Sequence, residues 1–138
     1  MIEHIDPTRD AIAAFRDLPD DRPVMMINLV RFRPQALYPA AHAMTGKAIP
    51  GAEAYKLYRR AAAAPFARAG GEQIWTGVPE LTVIGPRDEA WDIAFIARYP
   101  TGAAFLEMLR DAEYREAVVH RQAAVSNSRL IRCGEVEA

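Results

Sequence analysis

A small set of residues could carry chemistry if the fold brings them to a common space: Asn28, Arg31, Trp75, Trp91, Arg98, Tyr99 and His120. Asn28 sits inside the apolar run Val24 to Phe32 (VMMINLVRF). A buried amide must be hydrogen-bonded, either to a ligand oxygen or to backbone and neighbouring side chains. Arg31 and Arg98 interrupt otherwise apolar stretches. A guanidinium facing a cavity binds a carboxylate with two parallel bonds, whereas one at a strand end reaches solvent or pairs with Asp92 or Glu72. Trp75 and Trp91 each combine a large apolar surface with one N–H donor, and serve equally as pocket walls, core or interface residues. Tyr99 shares an alternation face with Trp91. His120 could act as a general base or a haem or metal ligand. It could also simply favour the negative end of a helix.

Spacing removes several chemistries. His4, His42 and His120 fit no ligand pattern, and there is no His-x-x-x-His, Glu-x-x-His or Cys-x-x-Cys. No metal site and no bound cofactor are therefore expected. Ser126 and Ser128 lack the Gly-x-Ser-x-Gly context of a nucleophile elbow. Gly70-Gly71 reads as a helix stop, not a phosphate loop. Cys133 is alone, so it forms no internal disulfide. Tyr55 and Tyr58, one helical turn apart, read as core or interface.

The elements that must position these residues follow from periodicity. Asp6 as a cap and Pro7 at the first helical position open a short helix over 7–18, with Ile12, Phe15 and Leu18 on one face. Val24 to Phe32 is a strand bounded by prolines. Val24, Met26, Asn28, Val30 and Phe32 lie on one face and Met25, Ile27, Leu29 and Arg31 on the other. Residues 33–50 form a long connection, holding Tyr38, His42 and Met44, that should cover an opening or a partner. Gly51 to Ala69 is helical, with Pro65 expected to kink its last turn and Gly70-Gly71 to end it. Glu72 to Ile84 reads as a strand bent at Gly77 or Pro79, and Gly85 to Asp88 as a turn. Trp91 to Tyr99 alternates clearly as a strand. A helix from Thr101 buries Phe105, Leu106, Met108 and Leu109, breaks near Asp111-Ala112, and continues to Ala124. Ser128 to Cys133 is the final strand.

The order is a leading helix, then β-α-β-β-α-β, the split βαβ arrangement. The fold class is α+β: a ferredoxin-like four-stranded antiparallel sheet covered on one face by its helices. The chain of 138 residues suits one domain, 1–138, with a core at about 24–133. Hydrophobic residues make up 51% and charged residues 25%, with a net charge of −1. Such a balance attracts no polyanion, which argues against nucleic acid. No run reaches the roughly 18 apolar residues of a membrane span. The N-terminus has no basic region followed by an apolar run, so a cytoplasmic location is expected. The strands look apolar on both faces. A bare apolar sheet face exceeds what soluble monomers expose, which predicts a homodimer with a cavity between two sheets.

Gly70-Gly71-Glu72, Trp75-Thr76-Gly77, Trp91-Asp92, Arg98-Tyr99-Pro100 with Phe105-Leu106, Asp111-Ala112-Glu113-Tyr114 and Arg121-Gln122-Ala123-Ala124 together resemble the DUF1330 family. This is a group of small bacterial proteins in the dimeric α/β-barrel superfamily. The resemblance covers about residues 24 to 133. It implies a fold and a dimer and no reaction. The leading helix and the 33–50 connection depart from the family's shorter members. The same superfamily contains cofactor-independent oxygenases and haem-degrading enzymes that place an asparagine with aromatic and histidine partners in the barrel. Asn28 with Trp75 or Trp91 is similar to that set in residue type only.

Three readings follow. The chain is a homodimer with a small-molecule pocket between its sheets, lined by Asn28, Trp75, Trp91, Arg98 and Tyr99. As an enzyme it would act without a cofactor on a small aromatic or carboxylated metabolite. Alternatively it is a non-catalytic binding or stress-related module whose cavity its own side chains fill. In the third reading it binds haem through His120.

Overall fold

A computed structural model describes residues 2–136. Its element order is α1 (Arg9–Asp17), β1 (Val24–Phe32), α2 (Gly51–Arg68), β2 (Glu72–Gly77), β3 (Ile93–Tyr99), α3 (Gly102–Arg110), α4 (Ala112–Ala124) and β4 (Val125–Cys133). The strands form one antiparallel sheet in the order β2-β3-β1-β4. This is the ferredoxin-like arrangement expected from the sequence. Among the described residues no helix is long and apolar enough to cross a membrane.

Strand parity decides which side chains form the core. Val24, Met26 and Val30 of β1 and Ala97 and Tyr99 of β3 are buried on one face. They pack with Ala54, Tyr55 and Ala62 of α2, Phe105 and Met108 of α3, and Tyr114, Ala117, Ala123 and Ala124 of α4. The opposite face carries Met25, Ile27 and Leu29 of β1. Opposite them stand Arg98, Ile96 and Ala94 of β3, and Cys133, Ile131 and Arg129 of β4. Among the described residues no helix covers that face.

Local chemistry explains the helix boundaries. Thr8 caps α1 by accepting from the Ala11 N–H at 3.1 Å. Asp6, the expected cap, instead accepts from Gln122 at 3.1 Å. α2 runs through Pro65 to Arg68, and Gly70 leaves it at φ 75°. Asp111 makes the break expected in the third helix. Its N–H closes α3 on the Glu107 and Met108 carbonyls, and its carboxylate accepts from the Glu113 and Tyr114 N–H groups to open α4. Arg68 bonds that carboxylate and holds its pKa below the usual range.

Three strand expectations need correction. The run expected as a strand from Glu72 to Ile84 stops at Gly77. A register shift between Gln73 and Trp75 disturbs the pairing, and Pro79 lacks the N–H a ladder needs. Residues 78–92 are an irregular connection, so Trp91 precedes β3. β4 begins at Val125, ahead of Ser128, because α4 passes directly into it.

The long 33–50 connection covers this chain's own core rather than an opening. Arg33 N–H donates to Ala124 O at 2.7 Å and Leu37 N–H to Ala123 O at 2.9 Å, while Tyr38 is buried against Val125 and Ala124. Gly51 lets the end of the connection pack against its own start and against the end of α4. A Cβ there would collide with the Arg33 carbonyl and stand 2.8 Å from the Ala124 carbonyl oxygen. Both obstacles are backbone, so Gly51→Ala should cost roughly 2–3 kcal/mol. Urea denaturation should show an unchanged slope and a lowered midpoint.

Candidate functional site

The residues singled out by type fall in separate places. Asn28 and Tyr99 face the helices; Arg31, Arg98, Trp75 and Trp91 belong to the uncovered face or its end; His120 lies on α4 beneath the 33–50 connection. The expectation of a single pocket lined by Asn28 together with Arg98 and the tryptophans does not match this geometry. Asn28 and Arg98 are on opposite faces because β1 pairs Asn28 with Phe95 and Met25 with Arg98.

On the helix side, Tyr99 is core: its hydroxyl meets Met108 Sδ at 3.8 Å, and burial pushes its pKa up. Burial likewise keeps the Tyr55, Tyr58 and Tyr114 hydroxyls protonated, and those of Tyr58 and Tyr114 bond each other at 2.9 Å. Asn28 Nδ2 donates to the Met26 carbonyl at 3.1 Å. Its Oδ1 has no partner among the described hydrogen bonds. Asn28 is only half-buried between Phe95 and Leu130, whereas Met26 and Val30 of the same row are buried.

On the uncovered face, Trp91 lies between two guanidiniums, Arg31 at 5.9 Å and Arg129 at 5.2 Å from its ring centroid. Both arginines hold down the β2–β3 connection. Arg31 donates to the Ala90 and Asp88 carbonyls at 2.8 and 2.6 Å, and Arg129 pairs with Glu89 at 3.0 Å. Arg98 is held more loosely, 3.9 Å from the exposed Glu72 carboxylate. Trp75 is half-exposed on β2 beside Ile96. The centre of the face, Ile27, Leu29 and Ile96, is apolar. Its arginines stand around that centre, and of them Arg98 has the longest ion-pair distance.

The third place was missed as a constellation. The Tyr38 hydroxyl is 2.6 Å from His120 Nδ1, and the His42 ring stacks on Tyr38 with centroids 4.8 Å apart and meets His120 edge-on at 5.5 Å. The signal was the length and aromatic content of the 33–50 connection; nothing in the spacing joined it to a helix about eighty residues later. Arg129 was legible by parity, sharing a face with Ile131 and Cys133.

The imidazoles do not assemble a metal centre. His42 Nδ1 accepts from the Met44 N–H at 3.0 Å, so the neutral ring carries its hydrogen on Nε2. Among the described residues no group of three or more His, Cys, Asp or Glu could hold a metal ion. Two grooves, of about 280 and 150 Å³, lie elsewhere and do not have His120 in their lining.

Residues 41–133 match the family model described as a domain of unknown function, DUF1330. The chain belongs to the DUF1330 family. The chain is similar to the solved RPA0582 protein of unknown function from Rhodopseudomonas palustris, 51% identical, with a TM-score of 0.89 over 99% of this chain and 100% of that one. Two more distant structures share the fold. SnoaB, a cofactor-independent oxygenase from Streptomyces nogalater, is 18% identical over 85% of this chain and 96% of its own, with a TM-score of 0.52. A dimeric protein of unknown function and ferredoxin-like fold from Bacteroides fragilis is 14% identical over 80% and 94%, with a TM-score of 0.50. A search of the curated proteins finds no match.

Burial, and then the neighbouring His42, hold the His120 pKa below its ordinary value. The folded chain therefore prefers the neutral ring. Between about 6.5 and the lower folded value the unfolded chain binds more protons, so stability present above that window is lost as pH falls through it. His120→Gln should flatten this acid limb in pH-dependent urea unfolding. Tyr38→Phe removes one hydrogen bond, costing about 1 kcal/mol. Calorimetry should show a melting temperature lower by about 3 °C.

Proposed function

We propose that this DUF1330 chain is one domain, 1–138, that works in the cytoplasm as a homodimer stacking its sheets uncovered face to uncovered face. Between the sheets it binds a small aromatic or carboxylated metabolite, on which it would act without a cofactor. The observation supporting this is the sheet face itself. Met25, Ile27, Leu29 and Ile96 form an apolar centre with no helix over it, and Trp75, Arg31, Arg98, Arg129 and Trp91 stand around it. Stacked sheets lie about 10 Å apart, which excludes water from such a centre. The Bacteroides fragilis neighbour is described as dimeric with a ferredoxin-like fold, which agrees with this reading.

Arg98 is the favoured ligand contact because its one partner is a distant, exposed carboxylate, whereas Arg31 and Arg129 are committed to their own chain. The competing reading is a non-catalytic or stress-related module whose inter-sheet space is filled. It draws on the bulk of the half-exposed Trp75 on the same face.

Light scattering of the wild type should give twice the 15.3 kDa of one chain, and Ile96→Glu, which places a charge at the centre of the face, should give one chain. A wild type that stays at one chain mass at micromolar concentration would end the dimer reading. Native mass spectrometry of fresh protein should show a retained small molecule that Arg98→Ala loses while remaining dimeric. A dimer carrying no added mass would favour the filled module.

A further inference from the structure

The connection between β2 and β3 carries an unused apolar surface. Val78, Leu81, Val83 and Ile84 are 75–95% exposed. Scattered exposed apolar residues are ordinary, but a group of four large ones on one short segment is a contact surface without its partner. We propose that residues 78–91 form an arm that lies against a second copy of this chain and completes the sheet-to-sheet dimer. The inference rests on the dimer reading above and names the element that reading lacks.

Interface area selects the occupant. Four strands about 4.8 Å apart and about eight residues long at ~3.3 Å each give a footprint of roughly 500 Å². A stable interface removes about 800 Å² from each partner. The sheet face alone therefore falls well short, and the arm is the apolar surface continuous with it. It leaves β2 just beyond Trp75 and returns to β3 at the end of the same face, where Trp91 lies between Arg31 and Arg129.

The arm is also held at its root. Arg31 grips the Asp88 and Ala90 carbonyls, Glu89 pairs with Arg129, and the Asp92 carboxylate accepts from the Phe32 N–H at 2.7 Å while its own N–H donates to Val30 O at 2.8 Å. Fixing the root in the free chain reduces the ordering that association would otherwise require. In a two-fold dimer each arm would meet the other copy, so the contact counts twice.

The test compares Val83→Ser/Ile84→Ser with Ile96→Glu and wild type by sedimentation equilibrium, with circular dichroism confirming the fold. The serine sites are almost wholly exposed, so folding should be unaffected. The arm variant should dissociate at a concentration about 100-fold higher than wild type or more. An arm variant that associates as tightly as wild type, while Ile96→Glu is monomeric, overturns the arm and leaves the sheet dimer standing. A monomeric wild type overturns both. Dissociation by the arm variant with Ile96→Glu still dimeric supports the arm as a contact and overturns stacking through the sheet.

Discussion

A four-stranded sheet has two faces, and this chain has helices for one. That imbalance organises the rest of the molecule. α2, α3 and α4 bury Val24, Met26, Val30, Ala97 and Tyr99. The alternation that turns these residues inward turns Met25, Ile27, Leu29 and Ile96 outward, and they are apolar too. An amphipathic sheet would have given the outward set to polar residues; here the outward polar groups are arginines around an apolar centre. The proposed dimer, the proposed ligand space and the proposed arm are successive answers to that one uncovered face.

The edges and ends of the sheet are closed by other means. The N-terminal segment lies along β4: His4 N–H donates to Asn127 Oδ1 at 3.0 Å, and Ser128 Oγ donates to the His4 carbonyl at 2.7 Å. Both bonds run from β4 side chains to the His4 backbone, and they hold the N-terminal segment over an edge where another strand could otherwise add. Arg132 fastens the same region by donating to the Phe15 and Pro19 carbonyls while lying over the Phe15 ring. The leading helix, which has no buried residue of its own, is thereby part of the edge closure. Arg31 and Arg129 play the matching role for the β2–β3 connection.

Arginine accordingly has a double meaning in this fold. Read as a residue type, each strand arginine is a candidate carboxylate clamp. In place, Arg31, Arg129 and Arg132 spend their donors on backbone carbonyls or a local carboxylate, and Arg98 alone of the strand arginines is loosely engaged. Histidine behaves similarly. His120 looked like a lone helix-end residue, and the 33–50 connection gives it Tyr38 and His42 as neighbours.

The features legible in the residues alone were local. A short apolar run between prolines placed β1, period-two alternation placed β3, proline and glycine bounded the helices, and Asp111 marked the break between α3 and α4, because each of these depends on a few adjacent residues. Parity within one strand was equally legible, so the separation of Asn28 from Arg31 was visible at once. Tertiary structure decided which face the helices would cover, and that is a question of where α2 and α4 dock rather than of any single strand. It decided that Glu72 to Ile84 stops pairing at Gly77, since β3 offers no partner before Ile93. It also joined Tyr38 to His120, because that contact requires the 33–50 connection to fold back over α4, an arrangement no sequence spacing encodes.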